Sequence, residues 1–352
     1  MAINLHSKYA DKLAEAFRRK SYTAGKASEE FKFVGFKTIQ IMSMESAPLN
    51  GYAHSGANRF GEVTDVEDTV QEMTMNEEIA YTKHIGRGDN SQQQMLKRAG
   101  RWLTQQIGER VTPEIDKHNL KKWAQGAGGV FAGAALTKDT IIDRLLDAEV
   151  FFEENNVPET DRYVYMPSST FKLVRLAGEF DGCDDARQKL ILKGYKGDLN
   201  TLKIVTVPSR YLPANVNFIA TYKGSVLAPH TLHTARILEV AQGYDGPVIE
   251  GHDIFDAFVI GKKCEGVYID VLTGKKGTTP TATKSTSTTS IAAGSGETIK
   301  YTLDGSDPRY SKTAQVYSAA FSNPVKGTVI KAVAYDYANG VYNSDVMEHV
   351  AA

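Results

Sequence analysis

Two runs of period-two alternation are separated by residues 47–68, a stretch with few large apolar side chains and with Gly51, Gly56 and Gly61 spaced along it. The first run sets Ile39 and Ile41 between polar neighbours. The second carries Met73, Met75, Ile79, Tyr81 and Ile85 in one phase, the pattern of a single half-buried strand. A connection of that length inside a compact domain is improbable unless it has a task of its own. The spacing therefore predicts a long hairpin that projects from the body of the protein, with the core built elsewhere.

The rest of the chain supplies that core. Over residues 92–111, Met95, Ala99, Trp102, Leu103, Ile107 and Val111 mark one face of a helix. Thr112-Pro113-Glu114 reads as a break and restart, with Thr112 as N-cap and Pro113 at the first helical position. The second helix carries Ile115, Leu120 and Trp123 and ends in a glycine hinge over Gly126, Gly128 and Gly129. Helical spacing returns over 139–155 and begins again at 169–176. Strands are expected over 162–166, 202–207, 216–222 and 235–239. Helices and strands mixed in this order make an α+β body. Before it, residues 5–20 have the spacing of a short amphipathic helix, and the polar stretch to about residue 32 reads as an extended arm.

Residues 274–290 change character, with Gly, Thr, Ser, Lys and Pro dominant, as in a linker that merges into a first edge strand. About 75 residues of short alternating strands follow, including 298–303 and 328–335, and predict a small β-sandwich.

With 352 residues and a formal net charge of −1, nothing marks a dedicated nucleic-acid binder, although the first forty residues hold eight Lys/Arg against four Asp/Glu. No apolar run approaches the ~18 residues that span a bilayer, so no membrane partner is expected, and the first ten residues lack the apolar core of a secretory signal. Cys183 and Cys264 lie far apart and imply neither a zinc knuckle nor a disulfide framework.

Several chemically suggestive groups have simpler readings. Arg87-Gly88-Asp89 reads as a turn, and the glycines at 126–129 lack the Lys-Ser/Thr of a phosphate loop. His230, His233 and His252 have no evident carboxylate or cysteine to complete a metal set. Asp181, Asp184 and Asp185 read as a solvated loop. Asp304, Gly305, Ser306 and Asp307 read as a surface turn in the C-terminal module, not as a calcium or sugar site. No catalytic motif, cofactor site or metal site is expected, and the chain is not read as an enzyme.

Three segments in order carry a resemblance. They are the glycine-containing hairpin with the strand ending at Tyr81 to Ile85; Ile107-Gly108-Glu109-Arg110-Val111-Thr112-Pro113-Glu114-Ile115-Asp116; and Phe151 followed by Asn155-Asn156-Val157-Pro158-Glu159-Thr160-Asp161-Arg162-Tyr163-Val164. Together they resemble the major capsid proteins of tailed bacteriophages with the Hong Kong 97-like fold. The resemblance implies an N-terminal arm (1–32), an extended loop with supporting strands (33–91), peripheral-domain helices (92–136), an axial domain (137–234) and returning peripheral strands (235–273). It implies hexamers and pentamers of this chain closing an icosahedral head around double-stranded DNA without sequence recognition. A separate scaffolding protein and a portal are implied as partners, the virion as location, and the bacterial host cytoplasm as place of synthesis. The loop tip Asn50, Gly51, Tyr52, His54, Gly56, Asn58 and Arg59 becomes the candidate intersubunit contact.

The string Tyr301-Thr302-Leu303-Asp304-Gly305-Ser306-Asp307-Pro308 and the strand over 328–335 are similar to the immunoglobulin-like domain at the C-terminus of chitobiase and hexosaminidase. That resemblance implies a non-catalytic accessory module over 274–352, displayed outside the shell, with glycan as a possible ligand of its tyrosines. The alternative function is a surface glycan-binding adhesin or accessory binding protein; a glycosidase would need two carboxylates flanking a cleft.

Overall fold

The computed structural model describes residues 21–31, 33, 37–44, 49–52, 54–55, 58–60, 68–86, 99–177, 198–199, 201–239 and 242–351. The helix expected over 5–20, the turn at 87–89, the aspartates at 181–185 and Gly56 lie outside the described residues.

Along the chain, β1 (Thr38–Met44) and β2 (Asp68–Thr74) pair antiparallel as the two sides of the expected hairpin, from Thr38 opposite Thr74 to Met44 opposite Asp68. The single strand expected from Met73 to Ile85 is two strands. The run breaks at Met75–Asn76, where the Asn76 N–H donates to the Asp256 carboxylate at 3.1 Å, and restarts as β3 (Glu77–His84). The polar stretch expected as an extended arm turns at 21–30 and is held to the body. The hydroxyls of Ser21 and Thr23 donate to buried Asp116 at 2.6 Å each, and the Tyr22 N–H donates to it at 2.9 Å.

Helix α1 (Ala99–Gln106) runs through a π-turn at Ile107–Val111 into α2 (Thr112–Gln125). The expected break at Thr112 does not occur: Thr112 is helical and its N–H donates five residues back to the Ile107 carbonyl. Pro113 has no N–H for the Glu109 carbonyl, and the wider turn carries the helix past that missing bond. Thr112 therefore caps nothing.

After β4 (Gly129–Gly133) come α3 (Ile141–Glu154), β5 (Arg162–Pro167), α4 (Ser168–Leu176), β6 (Asp198–Leu199), β7 (Leu202–Val207), β8 (Val216–Tyr222) and β9 (Val226–Leu227). Then follow β10 (His230–Leu238), β11 (Val248–Phe255), β12 (Phe258–Val259) and β13 (Val267–Leu272). A six-stranded mixed sheet has the order β4-β13-β8-β5-β7-β6, and a three-stranded sheet has the order β10-β11-β3.

The six-stranded sheet is covered on both faces, which is why its strands are nearly continuous in apolar residues. Val164, Ile204 and Phe218 meet Ile141, Leu145 and Phe152 of α3 on one side. Tyr165, Ile219 and Ile269 meet Leu120 and Trp123 of α2 on the other. Trp123 and Phe152 are wholly buried, each worth about 1.5–3 kcal/mol. Arg162, also buried, donates to the carbonyls of Val157 and Pro158 and to the Thr201 hydroxyl, so it fixes the turn between α3 and β5.

The glycines after α2 are not a hinge. A Cβ on Gly126 would meet Val259 at 2.6 Å, and one on Gly128 would meet the Cys264 carbonyl oxygen at 2.4 Å. They permit close backbone approach, which fixes the chain there.

The C-terminal module is a sandwich of β14 (Thr281–Lys284), β15 (Thr288–Ala292), β16 (Thr298–Thr302), β17 (Gln315–Val316), β18 (Phe321–Ser322), β19 (Val329–Tyr335) and β20 (Met347–Val350). Its sheets have the orders β14-β15-β18 and β17-β16-β19-β20 and close on Ile291, Ile299, Ile330 and Ala332. The segment expected as a linker merging into an edge strand supplies that edge strand, β14, and is tied in before it: the Gly277 N–H donates to the Tyr342 carbonyl, and the Tyr342 N–H to the Lys275 carbonyl.

Candidate assembly surface

The β1-β2 hairpin is anchored at one end and bare at the other. At its base Ile41, Met73 and Met75 are buried with Phe33, Leu227 and Ile260. Away from the base Met42 and Met44 are 66% and 72% exposed, and Phe60 is 83% exposed. The side chain of Tyr52 lies edge-on to Phe60, with ring centroids 5.2 Å apart, and edge-on to His54. The Asn50 side-chain amide donates to the Phe60 carbonyl at 3.4 Å, and Asn58 adopts a left-handed φ of 55°. Asn50, Gly51, Tyr52, His54, Asn58 and Arg59 are all exposed, within one projecting segment.

What the sequence reading missed is how apolar this segment is, because Met42, Met44, Leu49 and Phe60 are spread along a stretch that looks polar on average. Scattered exposed apolar side chains need no explanation, whereas four in so short a described stretch stand out.

A second arrangement joins the C-terminal module to the body. The carbonyls that end a helix have no partner within it. Here the Gln125 carbonyl accepts from the Tyr337 hydroxyl at 2.9 Å and from the Asn343 amide at 2.8 Å. Arg309 donates to the Gly128 carbonyl at 3.0 Å while pairing with Asp307. A cation beside a helix C-terminus is also favoured by the helix dipole. The Tyr342 hydroxyl donates to Ala214 at 2.9 Å, and the Tyr310 ring lies against Gly261. Midway along β2, the Lys312 N–H donates to the Val70 carbonyl at 3.0 Å and its ammonium pairs with Glu72 at 2.9 Å.

Asp304, Gly305, Ser306 and Asp307 form the turn that leads into this contact. Gly305 has φ +74°, and Asp304 accepts from the Ser306 N–H and hydroxyl and from the Thr313 hydroxyl. Burial opposes the charge of Asp304, but these hydrogen bonds outweigh it and hold its carboxyl below the ordinary value. Tyr310, Tyr337 and Tyr342, three of the tyrosines considered for sugar stacking, face the body instead.

Solved structures share the body's architecture. A Mycobacterium phage Che8 structure matches with a TM-score of 0.63 at 17% identity, covering 76% of this chain and 98% of that one. The capsid structure of the Cyanophage P-SCSP1u matches with a TM-score of 0.60 at 13% identity, covering 76% and 93%. The capsid of Myoviridae Phage XM1 matches with a TM-score of 0.56 at 11% identity, covering 77% and 98%. The fold is that of a phage capsid subunit. Residues 288–349 match the Fn3 associated family, which accounts for the immunoglobulin-like module added to that fold. No curated protein matches the chain by sequence.

Within this capsid fold, the polar groups flagged in the sequence separate clearly. No helix among the described residues is long and apolar enough to cross a membrane. Burial pushes the Cys264 thiol up to about 12, far from a reactive thiolate. The carboxylate that sequence reasoning could not find for His230 and His233 is Asp253, directly across the sheet; His252 points elsewhere, toward Glu78 at 3.7 Å. The signal was present only as an Asp twenty residues from His233, with no local spacing to reveal it.

Proposed function

We propose that this chain is the major capsid protein of a tailed phage, a structural and non-enzymatic subunit that assembles with itself into the icosahedral head. The observation that carries the proposal is the exposed apolar hairpin on a capsid-type fold. Leu49, Tyr52 and Phe60 are left in water by a single copy, and burying them against a neighbour removes that cost at about 25 cal/mol per Å². Head-to-tail contacts of this kind close into rings, so hexamers and pentamers are the expected units.

In this reading residues 1–32 act as the arm, 33–91 as the extended loop, 92–136 with 235–273 as the peripheral part and 137–234 as the axial part. The pairing of β13 with β8 would then join the two parts within one sheet. The shell encloses double-stranded DNA without reading it. A separate scaffolding protein and a portal complete assembly in the host cytoplasm, and the module over 274–352 faces outward.

Negative-stain electron microscopy of the full-length protein, alone and co-expressed with a scaffold candidate, tests this. Closed shells or capsomer rings are expected, with a C-terminal tag reachable by antibody on intact particles. Monodisperse monomers in both preparations would count against the proposal.

A further inference from the structure

We propose a divalent transition-metal site formed by His230, His233 and Asp253 on the three-stranded sheet. In a regular strand, side chains three residues apart point to opposite faces. Strand β10 departs from that rule: its register against β11 slips between His230 and Leu232, so that His230 lies opposite Phe255 and His233 opposite Asp253. The extra residue brings both imidazoles to the face that carries Asp253.

Donor atoms of all three side chains lie within 4.8 Å of one another. His230 Nε2 is 3.0 Å from Asp253 Oδ1, and His233 Nδ1 contacts the same oxygen. The second carboxylate oxygen is the independent observation. Asp253 is completely buried, and its Oδ2 has no hydrogen-bond partner. A buried anionic oxygen without a donor is costly, and native proteins rarely leave one so. Among the described residues no lysine or arginine forms an ion pair with Asp253; the two histidines do.

Both histidines line a cleft of about 480 Å³ between residues 21–29 and the helix around Val111 and Asn119. Asn119 adds a second buried oxygen without a partner, while its amide nitrogen donates to Thr23. Two imidazoles and one carboxylate suit a borderline ion such as Zn²⁺, whereas Ca²⁺ and Mg²⁺ prefer all-oxygen sets. Three protein ligands leave a fourth position open toward the cleft. A bound ion would cross-tie β10 to β11 and supply the charge that Asp253 Oδ2 lacks.

The test is zinc uptake by the full-length protein, measured by competition with a chromophoric chelator, with Co²⁺ substitution as a spectroscopic readout. One equivalent per chain is expected. His230→Ala and His233→Ala are expected to weaken it by about tenfold or more and to abolish the visible bands of tetrahedral Co²⁺. His252→Ala, whose side chain points toward Glu78, is expected to leave uptake unchanged. Both ligand histidines are partly exposed, so these variants should fold, and circular dichroism checks that they do. Asp253→Asn extends the test to the carboxylate; should it fail to fold, the histidine variants decide alone. No saturable uptake, or uptake equal in wild type and in both histidine variants, would overturn the proposal.

Discussion

Asp256 shows how much a single buried carboxylate can organise. One oxygen accepts from the His118 ring nitrogen at 2.6 Å and from the Ala257 N–H at 2.8 Å, and the other accepts from the Asn76 N–H at 3.1 Å. Burial pushes its pKa upward, but those hydrogen bonds and the nearby charge of Lys122 prevail and hold the carboxyl below its ordinary value. A depressed folded pKa means stability that is fully present above the unfolded carboxylate value of about 3.9 and is lost as pH falls through the folded value. Asp256→Asn should therefore cost about 1.5–3 kcal/mol at neutral pH and flatten the loss of melting temperature below about pH 4. Calorimetry across that range checks it; parallel acid curves for variant and wild type would assign the acid sensitivity elsewhere. Asp116 is the companion case. It accepts from Ser21, Tyr22 and Thr23, and Asp116→Ala removes that shared acceptor from the segment, an expected cost of about 2–4 kcal/mol by chemical denaturation. Neither carboxylate announces itself in the sequence, because apart from Ala257 their partners come from segments more than ninety positions away.

At the scale of elements, legibility followed the range of the forces involved. Strand β1 and helix α3 were readable because periodicity records which face is buried. The split between β2 and β3 was not, since Asn76 stops the strand by bonding to a residue 180 positions later. Thr112-Pro113 has the local chemistry of a helix start, yet the packing of Val111 and Leu120 on either side holds the helix continuous and the π-turn absorbs the proline. The hairpin was recognised by length, while its apolar character emerged only when Met42, Met44, Tyr52 and Phe60 were placed on one projection. That placement makes a prediction specific to the element. Replacing Tyr52 and Phe60 together by Ser should change folding stability by no more than about 0.5 kcal/mol per site, because both side chains are solvated in the single chain. The same change should shift sedimentation from assembled species toward single subunits. Unaltered assembly would show that these rings are not buried between copies.

For the whole molecule, the decisive feature is that the immunoglobulin-like module is fastened to the capsid-type body at three places. Tyr337, Asn343 and Arg309 cap carbonyls at and just after the end of α2, Tyr342 enters the main core, and Lys312 reaches the middle of β2. The motif at 301–308 revealed the module from sequence, but its docking depends on pairs such as Tyr337 and Gln125, 212 positions apart, and a segment rich in Gly, Thr and Ser looked like a tether. A tethered module would melt separately from the body. A docked one couples the two, since removing it leaves the Gln125 and Gly128 carbonyls without these partners. Arg309→Ala should therefore cost about 1.5–3 kcal/mol and lower the melting temperature of the body as well as of the module. A chain ending at Leu272 should melt below the full-length protein for the same reason. Calorimetry of the three proteins separates the cases: one shared transition that falls in both variants is the expected result, whereas an unchanged body transition would mean that the contacts contribute no stability. Because Lys312 grips the strand that leads into the projecting hairpin, the same coupling gives the module a hold on the surface through which copies are proposed to meet. Lys312→Ala keeps the main-chain bond to Val70 but removes the ion pair with Glu72, and should loosen β2 slightly with little effect on the core, visible as faster amide exchange over 68–74 while protection over 162–167 is retained.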